Sequence, residues 1–174
     1  MERIFLIGYM GVGKTTLGKG LAKTLNYEFI DMDQYIQSRY LKTIAQLFDE
    51  FGEEGFRKIE NKILEEVSDI EDVVISTGGG TPCFYNNMER MNQKGKTVYL
   101  KADPHILTQR LIHCKDKRPL LKDKTDEELF EFVQTNLEKR EPYYSQAKYI
   151  FDPDDLVSRD ELDKYIDALI KLLK

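Results

Sequence analysis

The stretch Arg3-Ile4-Phe5-Leu6-Ile7-Gly8-Tyr9-Met10-Gly11-Val12-Gly13-Lys14-Thr15-Thr16 decides the fold. Arg3 to Ile7 is almost wholly apolar, as a strand covered on both faces must be. Gly8 to Thr15 fits the pattern G-x-x-x-x-G-K-[ST]. Leu17, Leu21, Ala22 and Leu25 then recur at helical spacing. A glycine loop between a buried strand and an amphipathic helix turns its backbone N–H groups inward around phosphate oxygens. The helix N-terminus adds a partial positive charge aimed the same way. Gly11, Val12, Gly13, Lys14, Thr15 and Thr16 are therefore the expected nucleotide-binding set. Lys14 is placed to reach the β- and γ-phosphates of ATP, and the Thr15 hydroxyl to ligate Mg²⁺ directly.

Working outward, Glu28 to Asp31, Val73 to Thr77, Thr97 to Leu100 and Tyr149 to Phe151 read as further short strands. Thr43 caps a helix that Gly52 breaks, and a second helix runs through Phe56, Ile59, Ile63, Leu64 and Val67. Asp103-Pro104 is a helix start with proline at the first helical position. Thr125 with Glu128, and Ser158 with Glu161, are capping boxes. The first opens a helix reaching about Tyr144. The second precedes a stripe of Leu162, Ile166, Leu169, Ile170 and Leu173. Strands alternating with helices imply parallel βαβ units in a three-layer α/β fold. There are no repeats, no low-complexity run and no linker, so the expectation is one domain spanning 1–174.

Composition removes several classes of function. Across 174 residues the formal net charge is −5, which disfavours nucleic acid and anionic membrane surfaces as partners. No run approaches the ~20 apolar residues of a membrane span, and the N-terminus lacks a signal-peptide cleavage site. A cytoplasmic monomer is the expectation. Two cysteines, Cys83 and Cys114, and two histidines form no metal-ligand pattern.

An anionic ligand on an acidic protein needs local basic groups. Residues 113–124 carry Lys115, Lys117, Arg118, Lys122 and Lys124 without helical period and read as an exposed basic segment, either a solvated loop or, because its Arg118-Pro119-Leu120-Leu121 core needs somewhere to pack on closing, a lid. Asp31 and Asp33 are two apart at the end of the second strand, so in extended backbone they face the same side. Strand ends are where open α/β sheets place ligands. One of these carboxylates can hold Mg²⁺ through water while the other orients an acceptor hydroxyl; the alternative is an ordinary helix cap. Three glycines, Gly78 to Gly80, directly after a buried strand suggest close approach of a ligand to the backbone.

The ordered series Gly8 to Thr16, Asp31-Met32-Asp33, Gly52 to Glu60 with its Phe56-Arg57, Gly78-Gly79-Gly80, Arg118-Pro119-Leu120-Leu121, and Arg140 before Pro142-Tyr143 resembles the motif series of shikimate kinases. The resemblance runs from about Ile4 to Tyr144. It implies a P-loop NTPase fold with a five-stranded parallel sheet and helices on both faces, of the nucleoside-monophosphate-kinase kind. It also implies ATP-dependent phosphorylation of the 3-hydroxyl of shikimate, on the route to chorismate and the aromatic amino acids. By resemblance Asp33 binds the acceptor hydroxyls, and Arg57 and Arg140 clamp its carboxylate. Gly79 and Gly80 offer backbone N–H groups. Asp31 supports Mg²⁺ through water, Arg118 sits on the lid, and Arg110 lies near the adenine. Lys14, Asp33 and Arg118 are the implied catalytic residues.

A planar guanidinium suits this allocation, because it meets a carboxylate in two parallel hydrogen bonds where lysine cannot. Against it stand a solvated Arg57–Glu60 pair and a solvated Arg140 beside Glu138 and Glu141. Gln37 replaces a glutamate usual in the family, and Tyr40-Leu41 stand where it usually carries a glycine. Both changes are expected to act on the acceptor pocket. The rival activities are a small P-loop kinase acting on gluconate or a nucleoside monophosphate, and a non-catalytic nucleotide-binding module.

Overall fold

The computed structural model describes residues 2–114, 121–152 and 161–174. Five strands, β1 (Arg3–Ile7), β2 (Glu28–Asp31), β3 (Val73–Ser76), β4 (Lys96–Leu100) and β5 (Tyr149–Phe151), form one parallel sheet in the order β2-β3-β1-β4-β5. Ile4 to Ile7 and Val73 to Ile75 are fully buried, which accounts for their unbroken apolar runs.

Among the described residues seven helices accompany the sheet: α1 (Lys14–Leu25), α2 (Met32–Tyr40), α3 (Ile44–Val67), α4 (Asn87–Lys94), α5 (Pro104–Ile112), α6 (Asp126–Tyr144) and α7 (Leu162–Leu173). The first carries the chain from β1 towards β2, and α4 carries it the other way, from β3 to β4. Right-handed crossovers therefore place these two helices on opposite faces. The loops after β1 and β3 diverge at that point. This makes the crevice between them the topological switch where such sheets bind ligands.

The expected helix signals hold where they can be seen. Thr43 and Gln46 form a reciprocal capping box, as do Thr125 and Glu128. Asp103 caps α5 ahead of Pro104. Gly52 interrupts α3 with φ 67° and ψ −179°, a backbone open essentially to glycine alone. Ser158 lies outside the described residues, as does Arg118. The apolar stripe of α7 is as expected, with Ile166, Leu169 and Leu173 buried. A short 3-10 turn (Thr81–Cys83) and α4 were not anticipated. The second has only Met88 and Met91 as an apolar stripe.

Gln37 and Leu41 serve the junction between α2 and α3. Gln37 Oε1 accepts from Ile44 N at 3.1 Å, so it satisfies an N–H at the start of α3. Leu41 ends α2 in the left-handed region at φ 52° with its side chain 90% exposed. Both departures sit at the α2–α3 junction. A glycine is favoured at this kind of helix end because a Cβ costs roughly 1 kcal/mol there. Leu41→Gly is expected to raise stability by about 0.5–1 kcal/mol, since no packing is lost, and a urea midpoint would show it.

Candidate active site

The loop after β1 is built as its glycines require. Gly8, Gly11 and Gly13 have φ of 148°, 82° and 99°, and Gly13 caps α1. Lys14 Nζ donates to the carbonyls of Gly8 at 2.7 Å and Tyr9 at 3.0 Å, so its charge lies over the loop. Val12 is buried and Thr16 is exposed on the first turn of α1. Arg110, from α5, donates to the carbonyls of Gly11 and Val12, both at 3.3 Å. It thus braces the outer half of the loop.

Thr15 Oγ1 donates to Asp31 Oδ2 at 2.8 Å. The other oxygen, Oδ1, accepts from Gln34 N at 3.2 Å and caps α2. Asp31 is therefore both a helix cap and the partner of the P-loop threonine. The cap also corrects the reading of Asp33. The strand ends at Asp31, and Asp33 lies in the first turn of α2, not in extended backbone. Asp33 is open to solvent, yet it sits low among protein atoms at the mouth of the crevice. That surrounding desolvation, with the charges of Asp31 and Glu60, raises its pKa from 3.8 to about 6 against the pull of Lys14 and Arg57.

The side of the crevice facing the P-loop centres on Gly78 to Gly80. A Cβ on Gly80 would fall 2.7 Å from both Nη atoms of Arg57, and one on Gly79 would fall 3.0 Å from Nη1 of Arg140. Only bare backbone lets two guanidiniums approach so closely. Arg57 lies over the Phe84 ring at 4.1 Å, with Phe56 at 5.4 Å and Phe48 at 5.8 Å. Arg140 lies over the ring of Tyr9 at 5.2 Å. Glu141 turns away from the crevice to accept from Tyr99 Oη at 2.7 Å, so Arg140 is not in a solvated pair with it. On Gly78, Asp33 Oδ1 is 3.2 Å from the Cβ position. The crevice thus brings together Asp33, the glycine loop, Arg57 and Arg140.

Glu60 was missed as a functional residue. It is 1% exposed, accepts from Arg57 Nη1 at 2.9 Å and from Thr81 Oγ1 at 2.7 Å, and joins α3 to the glycine loop. The Arg57–Glu60 pair is therefore buried rather than solvated. The signal was present: Glu60 is four residues after Phe56 and three before Ile63, on the apolar stripe. Cys83, beside the same loop, is half-buried. Desolvation pushes its thiol up to about 11 although Arg140 and Arg57 oppose the shift. It is thus no ready thiolate. Of the lid, Leu121 is buried in the core, whereas Arg118 lies outside the described residues. Among the described residues no cluster of His, Cys, Asp and Glu could hold a metal on its own, and no helix is long and apolar enough to cross a membrane.

Comparison with known proteins agrees with this geometry. The shikimate kinase family model matches residues 10–170. A shikimate kinase of Phocaeicola vulgatus is 53% identical over 173 residues, 99% of either chain. The crystal structure of the Bacteroides thetaiotaomicron shikimate kinase is also 53% identical, with a TM-score of 0.96 over 99% of this chain and 98% of that one. The Acinetobacter baumannii enzyme, solved in complex with shikimate, is 34% identical with a TM-score of 0.83, covering 98% of this chain and 94% of that one. A P-loop facing an arginine-lined crevice, with half-identical relatives along the whole chain, leaves one conclusion: this chain belongs to the shikimate kinase family.

Proposed function

We propose that the crevice transfers the γ-phosphoryl group of ATP to the 3-hydroxyl of shikimate, with the residues above dividing the work. The observation that carries this reading is the packing of Arg57 and Arg140 on Gly80 and Gly79, beside Asp33 and across from the P-loop. A carboxylate site and a hydroxyl-binding aspartate then share one mouth with the phosphate site. Shikimate offers both a carboxylate and ring hydroxyls.

The P-loop N–H groups and Lys14 hold the phosphates, and Arg110 steadies the loop next to the adenine. Arg57 and Arg140 take the acceptor carboxylate, and the N–H groups of Gly79 and Gly80 face the same ligand. Asp33 accepts the hydrogen bond of the attacking hydroxyl. Because the transition state of phosphoryl transfer is loose, orienting that oxygen is its larger contribution, and taking the proton is secondary. Arg118, on the segment 113–124, is assigned to the transferring group.

Mg²⁺ fits the residues present. Thr15 commits its proton to Asp31, which leaves the hydroxyl lone pairs for a hard cation, and Asp31 accepts from metal-bound water. When bound, Mg²⁺ neutralises charge on the β- and γ-phosphates. We read 1–174 as one kinase domain, acting as a cytoplasmic monomer with no nucleic-acid or membrane partner.

Three outcomes test the reading. ADP release with Mg-ATP should occur with shikimate and not with gluconate or nucleoside monophosphates. Turnover on another acceptor would remove the substrate assignment, and nucleotide binding with no turnover at all would favour a binding module.

The ionised form of Asp33 is the one that accepts a hydroxyl proton. The kcat/KM for shikimate should therefore fall about tenfold per pH unit below about 6. Asp33→Asn should remove that limb and lower kcat by about 10²–10⁴. An unchanged profile in the variant would assign the limb elsewhere. Stability should show the opposite slope. The folded pKa lies above the ordinary 3.8, so ionising Asp33 weakens the fold as pH rises from about 4 through 6.

For Arg57 the useful substitution is lysine. Arg57→Ala would strand the buried Glu60, at a cost of about 3–5 kcal/mol to the fold. Arg57→Lys keeps the charge and loses the fork. It should raise the shikimate KM about 10- to 100-fold while kcat moves little, as steady-state kinetics would show.

A further inference from the structure

Tyr144 ends α6, four residues after Arg140, and is fully buried. Its hydroxyl donates to the carbonyl of Gly79 at 2.5 Å. Its ring packs on Tyr99 with centroids 5.1 Å apart, and Tyr99 is itself fixed by its hydrogen bond to Glu141. Burial pushes the Tyr144 pKa up, against the charge and hydrogen bonding of Arg140 nearby, so the hydroxyl keeps its proton at working pH.

The contact has a directional consequence. No cis peptide occurs among the described residues, and in a planar trans peptide the C=O and the following N–H point in opposite directions. Holding the Gly79 carbonyl towards Tyr144 therefore turns the Gly80 N–H away from the core beneath α6. No described backbone group accepts that N–H. The Gly79–Gly80 peptide is the middle of a turn closed by the Thr81 N–H on the Gly78 carbonyl at 3.1 Å, so the freedom left to it is a flip between the two turn forms, which glycine permits. Thr81 secures the far end of the run through Glu60. Only Tyr144 secures its middle among the described side chains that hydrogen-bond to Gly78, Gly79 or Gly80.

We propose that Tyr144 is a positioning residue for the acceptor: its hydroxyl sets the Gly79–Gly80 peptide so that the Gly80 N–H meets shikimate. This rests on the acceptor roles given to Gly80 and Arg140 above. Tyr144 does not touch the reacting atoms, so its loss should appear in acceptor binding and not in chemistry.

The test is Tyr144→Phe, which keeps the ring and its packing on Tyr99 and removes one oxygen, with Arg140→Ala assayed beside it. Tyr144→Phe should raise the shikimate KM, and the Kd measured by calorimetry, about five- to tenfold, the scale of one ordering hydrogen bond. The kcat and the KM for ATP should stay within about twofold, a split that uniform binding loss predicts. If kcat, both KM values and the melting temperature worsen together, the residue is merely structural and the proposal is overturned. If Tyr144→Phe leaves the shikimate KM unchanged while Arg140→Ala raises it, the positioning role falls and the acceptor site stands. If neither variant moves that KM, the acceptor site itself is misplaced.

Discussion

Glu60 is a carboxylate withdrawn from water in the second half of α3, and the acceptor half of the site is organised around what it needs. Burying such a group is tolerable only when both oxygens are met by good donors. One oxygen takes Arg57 and the other takes Thr81, so a single residue fixes a guanidinium and the far end of the glycine loop. The guanidinium is held further by Phe84 on its face, leaving it little freedom to lose when a ligand arrives. Asn87 continues the network by donating to the Thr81 carbonyl, and Asn61 donates to Asn87. The 3-10 turn after the glycines is thereby tied to both α3 and α4.

The sheet order explains why this acceptor frame meets the nucleotide loop. Because β3 lies directly beside β1, the loops leaving their ends are neighbours before they part to opposite faces. Thr77 prolongs the pairing past the strand, its N–H and hydroxyl both donating to the Leu6 carbonyl at 3.1 and 3.2 Å. Gly79 consequently comes against the backbone of Gly8 and Met10, and Tyr9 of the P-loop becomes the floor beneath Arg140. Tyr9 and Thr77 are the residues that join the two halves.

What could be read from the sequence follows from how local each signal is. The P-loop, the buried strands and the Thr125–Glu128 capping box are set by residues within a few positions of one another, and these came through intact. Gly52 and the Asp103-Pro104 start are of the same kind. Asp33 shows where locality misleads. Its spacing from Asp31 was read with strand geometry, but the side chain of Asp31 caps Gln34 and starts the helix two residues earlier. Departures from a family pattern carry no direction, and the backbone shows what Gln37 and Leu41 do locally, at a helix junction. Glu60 and Tyr144 needed the fold, since their partners at Thr81 and Gly79 are 21 and 65 residues away.

On the proposed reading, the charges at the crevice account for how an acidic protein holds an anionic acceptor. Lys14, Arg57 and Arg140 face Asp31, Asp33 and Glu60, so among these described residues cations and carboxylates balance. A net positive field is therefore not what these six residues supply. They supply direction: two planar guanidiniums locked against glycine backbone, and a peptide N–H turned by its neighbour. Directed donors in a preset frame favour a carboxylate at one position and orientation, where a diffuse positive patch would hold any anion loosely. The same balance bears on Asp33. Desolvation raises its proton affinity most, and two further carboxylates close by add to the rise because the cations only partly offset them.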